Sequence, residues 1–501
     1  MSTSTQIRDH LIQTAKDGRL DDFSTRQHVA DVVARAVAST QPIVIHLHGG
    51  LVKKESAHGT AEHLLPFYDD AGVFPIFIVW RTGLFDAVKN LSEVADKPVF
   101  KKLLVRLLKF FVAKLGPAGK GIASPGNAPD DAEIEEELAK LEAGATPFAD
   151  VNFELDEADL QTFEVTFLER EVQTDRTLNA EFDREVDLAL SEAPVATSQA
   201  AVHLDRDVAV EARVEDETMG KGLFSGTLVV HVVKIAARVT RRFYRKSDHG
   251  LYATIVEEIC RELFLDAIGT AVWGFMKQEA ADTFENVGQD PARGGWLLLQ
   301  LLDENFRRLQ SEGRPLPSLS IVGHSAGSIY ACKLLLHLAR RRSQAGSVLH
   351  QTPVTIDRLV FLAPACRHDL FAAVLQEHAR QPLFQRFRLY SLTDAHETGY
   401  FEVKGVYPAS LLYLVSGLFE DEQGDGTCDQ PLVGMLRYYR EKHPYSHPEV
   451  ITVGTFLRSQ PDQIVLSGED RGDGLRCDSY THGAFDDTPG TIRSFLHFVR
   501  H

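Results

Sequence analysis

The sequence predicts an α/β fold: a doubly wound, mostly parallel sheet interrupted by a large helical and acidic insertion. Short, dense apolar runs alternate with helical stretches near both ends of the chain, as parallel strands covered on both faces do. One such run leads directly into Gly323-His324-Ser325-Ala326-Gly327, and a helix follows at once. Between the two strand-rich parts lies a mostly helical stretch that carries nearly all the acidity.

Taken in order, residues 6–15 and 25–38 read as amphipathic helices. The first clear strand, 42–47, runs into His48-Gly49-Gly50. A second strand follows at 74–80, and a helix around 61–68 makes the pair a βαβ unit. Residues 84–116 read as helical, with Leu104, Leu107, Leu108, Phe111 and Leu115 on one face and Lys102, Arg106 and Lys109 on another. Residues 117–129, rich in Gly, Pro, Ala and Ser, read as a linker. Segments 163–167 and 208–214 alternate like strands, so a small appended subdomain and partial disorder are both compatible with this part. Residues 223–279 and 294–309 read as helical. Alternation then resumes: strand 319–322, helix 326–340, strand 358–362, helix 369–379, strand 387–391. Two short strands are expected at 450–453 and 463–466. A last helix spans 489–499, with Thr488 as N-cap and Pro489 in its first turn. The expected organisation is therefore N-terminal helices (1–40), a first core part (41–83), a cap insertion (84–289, with 117–220 acidic) and a second core part (290–501).

With 501 residues, 44% of them hydrophobic, the chain can bury a large core and more than one folded unit. The net charge of −18 is uneven. Residues 130–217 hold 27 Asp/Glu against 6 Lys/Arg, which leaves the remainder close to neutral and excludes a basic nucleic-acid binder. Five scattered cysteines without C-x-x-C spacing argue against a disulfide framework or a zinc site and suit a reducing cytoplasm. The polar first residues show no secretory signal, and no run is apolar enough to span a membrane.

The chemistry resides in the Gly-His-Ser-Ala-Gly pentapeptide. A strand-turn-helix setting is what a nucleophile elbow needs: the turn is so tight that only glycine fits on either side, and the strained serine is lifted above the strand ends. Ser325 is thus the expected nucleophile. A hydroxyl near its own pKa needs a base. His482, in a polar glycine-containing loop just before the last helix, is the expected base, with His443 and His447 as weaker alternatives. Asp394, after strand 387–391, is the expected orienting carboxylate; Glu397 and Asp473 stand in reserve. An oxyanion hole is expected from the backbone N–H of Ala326 and of Gly50 or Leu51.

These residues resemble the esterase and lipase branch of the α/β-hydrolase superfamily: a His-Gly-Gly loop, the Gly-His-Ser-Ala-Gly elbow, Asp394 and His482 in that order, over residues 41–83 and 290–500. The resemblance implies acyl transfer to Ser325, hydrolysis of the acyl-enzyme by water, and neither metal nor organic cofactor. Two departures are the apparent helices in 1–40, in place of antiparallel strands, and the size of the insertion. The expected partner is a small-molecule or lipid ester, and an amide or thioester would use the same residues. Helix 101–115 is expected either to rest on a membrane surface or to be half buried. The Arg238, Arg241, Arg242, Arg245 and Lys246 cluster is expected to serve that surface or to pair with the acidic block. A protein partner for the acidic insertion, on a hydrolase scaffold, is the alternative from another class.

Overall fold

The computed structural model describes residues 7–50, 54–80, 82, 84–115, 129–149, 166–191, 204–219, 225–264, 270–285, 293–399, 403–420, 429–439 and 447–501. The chain forms two compact units: Met1–Phe85 with Val272–Glu397 and Pro431–His501, and Asp86–Ala271 with Thr398–Gln430. The first unit begins with β1 (Leu11–Gln13), α1 (Arg26–Ala38), β2 (Ile43–Leu47), α2 (Lys54–Ala71) and β3 (Phe74–Val79). Helix α3 (Leu84–Ala95) leads into α4 (Pro98–Leu115), α5 (Asp131–Ala139), α6 (Thr166–Thr174), α7 (Arg176–Ser191), α8 (Arg206–Met219), α9 (Ser225–Tyr244) and α10 (Leu251–Leu263). After α11 (Thr270–Asp282) come α12 (Gly294–Ser311), β4 (Leu319–His324), α13 (Gly327–Ser343), β5 (Ile356–Leu362), α14 (His368–Arg380), β6 (Phe384–Ser391) and α15 (Asp394–Thr398). Then follow α16 (Leu411–Leu414), α17 (Pro448–Arg458), β7 (Ile464–Leu466) and α18 (Pro489–Arg500).

The strands make one seven-stranded sheet in the order β1-β3-β2-β4-β5-β6-β7, and every pairing is parallel. Every residue of β2, β3 and β4 is buried, as expected for strands with helices on both faces. Helices α2 and α18 pack together over one face, and their core includes Val44, Phe77, Val322, Val360 and Tyr390 from five neighbouring strands. Helices α1 with α12, and α13 with α14, cover the other. Side chains alternate along a strand, so His46, two residues after Val44, and His324, two after Val322, belong to the α2/α18 face. That placement matters for the site.

Four expectations are corrected. Residues 6–15 hold the edge strand β1 rather than a helix; Leu11 and Ile12 are spaced like a helix face with Ile7, but pairing with Phe77 and Ile78 in the sheet overrides local preference. Residues 208–214 lie in α8. Val208, Ala209 and Ala212 are buried while Val210 and Val214 are exposed, which is helical spacing in a segment whose apolar and charged residues also alternate. Residues 450–453 belong to α17, which begins with Pro448 in its first turn after the N-cap His447. In segment 163–167, Thr166 and Phe167 begin α6, and the rest lies outside the described residues, as do residues 117–128 of the expected linker 117–129.

In the second unit the apolar side of α4 is covered by α7 and α10; Leu103, Leu107, Leu108, Phe110 and Phe111 are buried. Its cationic side pairs with the acidic block, through Lys102–Glu181 (3.9 Å), Arg106–Glu171 (3.7 Å) and Arg106–Asp175 (2.7 Å). Arg238 and Arg242 instead meet carboxylates of α10: Glu262 at 2.6 Å, Glu257 at 2.5 Å and Glu258 at 3.0 Å. His249 lies between Glu257 (2.8 Å) and Asp429 (2.9 Å), which ties the 398–430 segment to the α9–α10 pair. No helix among the described residues is long and apolar enough to cross a membrane.

Candidate active site

Strand β4 delivers Ser325 at its C-terminal end with φ 50°, a left-handed conformation costly for a residue with a side chain. Two glycines make the turn sterically feasible. A Cβ at Gly323 would lie 2.9 Å from the Gly327 carbonyl oxygen, and one at Gly327 would overlap the Leu47 carbonyl. The strained residue is clamped on both sides. Ser325 N–H donates to Leu362 O (2.8 Å), and Ser325 O accepts from Ala365 N (3.1 Å) and Ser328 Oγ (2.6 Å). The end of β5 thus holds the elbow in place, and α13 begins immediately behind it with Ala326 as N-cap.

His482 opens a single 3₁₀ turn, His482–Ala484, ahead of α18. Its Nε2 lies 2.8 Å from Ser325 Oγ, although the two residues are 157 positions apart in the chain. Burial, and then the charge on His324, hold the His482 ring down to about 3, so the ring is neutral and Nε2 can accept from the serine hydroxyl. The Nδ1 atom has no hydrogen-bond partner among the described residues. Asp394 begins α15 at the C-terminal end of β6, half buried, and no hydrogen bond joins it to His482. The structure therefore brings Ser325 and His482 together. Of the reserve residues, Glu397 is fully buried in α15, Asp473 is exposed, His447 is the N-cap of α17, and His443 lies outside the described residues.

The His-Gly-Gly loop lies directly against Ser325. A Cβ at Gly49 would stand 3.3 Å from the Cβ of Ser325, so glycine permits this close approach. Trp80 N–H donates to His48 Nε2 (3.3 Å), which leaves the proton on Nδ1 to bond the Gly49 carbonyl (2.7 Å). Burial holds His48 at about 4 and neutral, so the ring acts as a fixed strut for the loop. Gly50 is buried beside it, and Leu51 lies outside the described residues.

Sequence reasoning missed a polar layer beneath the serine. His324 Nδ1 lies 2.9 Å from Asp486 Oδ2, and His324 Nε2 lies 3.0 Å from the main-chain carbonyl of His482. His46 Nδ1 pairs with the Tyr68 hydroxyl at 2.8 Å. Four buried histidines thus surround one buried carboxylate. His46 and His482 are pushed down to about 3 and His48 to about 4, chiefly by burial. His324 alone rises: burial opposes its charge, but the charge of Asp486 and its hydrogen bond outweigh that. Asp486 correspondingly falls below the usual carboxylate range despite its burial, held there by the His324 charge. The available signal was strand alternation, which puts His46 and His324 on one face, together with an aspartate four residues after the expected base.

Among the described residues no group of His, Cys, Asp or Glu is arranged to hold a metal ion. A cavity of about 870 Å³ lies further along α13, lined by Lys333, His337 and Arg340 with Phe284 and Glu377; its lining begins six residues beyond the helix start, roughly 9 Å along the axis. No protein-family model matches the chain, and neither curated proteins nor solved structures give a match.

Proposed function

We propose that this protein is a serine hydrolase of the α/β-hydrolase type that cleaves carboxylic esters through an acyl-enzyme on Ser325. The observation that carries the reading is the 2.8 Å contact between His482 Nε2 and the hydroxyl of a serine at positive φ, on a strand-turn-helix elbow. His482 takes the Ser325 proton as the oxygen attacks the ester carbonyl carbon. The carbonyl electrons move onto oxygen, which faces the N–H groups expected of Ala326 and of Gly50 or Leu51. Collapse of this intermediate expels the alcohol, which leaves with the proton from His482. A water molecule, deprotonated by the same ring, then releases the acid and restores the serine. Residue order nominates Asp394 for orienting the ring, but His482 Nδ1 has no partner among the described residues, so the reading draws on Ser325 and His482. The interaction-protein reading draws less support, because several acidic-block carboxylates already face α4 cations inside their own unit.

Hydrolysis of p-nitrophenyl esters of rising acyl length, by wild type and Ser325→Ala, tests the proposal. Wild type should turn over, and the alanine variant should lose on the order of 10³-fold or more. The chain-length optimum then separates esterase from lipase. Absence of turnover on every ester would discard the ester reading and move the search to amides and thioesters.

A further inference from the structure

We infer that His324 and Asp486 act as a positioning pair: the doubly protonated His324 ring, held by the Asp486 carboxylate, grips the main chain of His482 and sets its distance to Ser325. The inference rests on the reading of Ser325 and His482 as nucleophile and base. A main-chain carbonyl only accepts, so His324 Nε2 must carry a proton to bond it at 3.0 Å. An ionised carboxylate also only accepts, so Nδ1 needs a second proton to bond Asp486 at 2.9 Å. A ring with one proton can keep only one of the two bonds. It would keep the charge-assisted one to Asp486 and turn a lone pair toward the His482 carbonyl. The loop carrying the base would then be repelled from the very residue that precedes the nucleophile in sequence.

Among its neighbours the His324 ring is the one whose protonated form is favoured, by the charge of Asp486 and its hydrogen bond against burial. From β2 and the loop after it, His46 and His48 face the pair; from α2, Tyr68; from the C-terminal loop, His482 and Asp487, with His63 beside Asp487. His46, His48 and His482 are neutral through the working range, and burial raises the Tyr68 hydroxyl well above its usual value. Asp487 adds negative charge that favours the protonated ring. A second consequence follows for the base itself. The His324 charge opposes protonation of His482 and keeps it a free acceptor at rest, while Asp486 limits that opposition when His482 takes the serine proton.

The test compares kcat and KM between pH 5 and about pH 10 for wild type, Asp486→Asn and His324→Gln, on the best ester of the series. The active fraction is counted by fluorophosphonate labelling of Ser325. In wild type, kcat should fall on the alkaline side as His324 loses its second proton. Asp486→Asn should lower kcat on the order of 10- to 100-fold with little change in KM, and should move the alkaline limb to lower pH by about a unit or more. His324→Gln should lower kcat similarly and abolish the limb, because an amide does not titrate there. A merely structural role would change the labelled fraction and leave the limb where it was; that result, or a limb persisting in His324→Gln, overturns the inference. If neither variant folds, wild type decides: the limb should coincide with loss of down-field imidazole N–H proton resonances, and a limb without that loss overturns it. A wild type that neither hydrolyses nor labels defeats the functional reading and the positioning role together, whereas an active wild type with an unmoved limb in Asp486→Asn defeats the positioning role alone.

Discussion

At the scale of single residues, the arrangement around Ser325 separates what holds the proposed nucleophile from what holds the proposed base. The elbow is fixed by covalent neighbours and by the end of β5. The His482 ring is held by its own main chain, through His324, with no hydrogen-bond partner on Nδ1 among the described residues. This has a measurable consequence. Asp394→Asn should lower kcat/KM by less than about 10-fold, while His482→Ala should lose on the order of 10³-fold. Equal losses in the two variants would put the Asp394 carboxylate at the ring during turnover. The pentapeptide, the glycine loop and His482 were legible because each depends on local sequence: a glycine where a Cβ cannot fit, a histidine in a polar loop ahead of the last helix. The buried ion pair was not, because Asp486 reads as one of two consecutive loop aspartates, and only strand pairing brings His324 over it.

Among the elements, the long apolar strands were readable and the short or two-faced segments were not. Strands β2, β3 and β4 are buried on both sides, so their composition alone marks them. Strand β1 has three residues and exists through its pairing with β3. Helix α8 misleads because its apolar positions satisfy both a period of two and a period near 3.6. A pair of substitutions distinguishes the two. Val210 is 43% exposed and Ala212 fully buried. Val210→Lys should change stability by less than about 0.5 kcal/mol, and Ala212→Asp should cost roughly 2–3 kcal/mol or more, read from denaturant midpoints. In a strand the two side chains would share one face and respond alike.

For the molecule as a whole, the buried polar layer predicts how stability depends on pH. His46, His48, His368 and His482 are buried with depressed pKa values of about 3 to 4. Their unfolded forms take up protons below about pH 6.5 while the folded forms do not. The first unit should therefore be most stable above that pH and lose about 1.4 kcal/mol per pH unit per ring as pH falls toward 4. Glu257, Glu262 and Asp486, all depressed, add losses only at lower pH still. His324 works in the opposite direction, since its raised pKa gives stability that is lost as pH rises through it. Urea unfolding at steps from pH 8 to 5 measures the net; a flat profile between pH 6.5 and 5 would contradict the neutral assignment of these rings.

The strand order also sets a timetable for synthesis. Strand β2 pairs with β3 on one side, 27 residues later, and with β4 on the other, where Ile43 meets Leu319. Everything between β3 and β4 must leave the ribosome before that second edge can close, which takes roughly 12–48 s at about 5–20 residues per second. For that interval the nascent chain presents Ile43-Val44-Ile45-His46-Leu47, an apolar and β-branched strand bound for the middle of a sheet, with one side open to any other extended segment. Chaperone dependence in the cell, and inclusion bodies on rapid expression, are what such an interrupted sheet should bring.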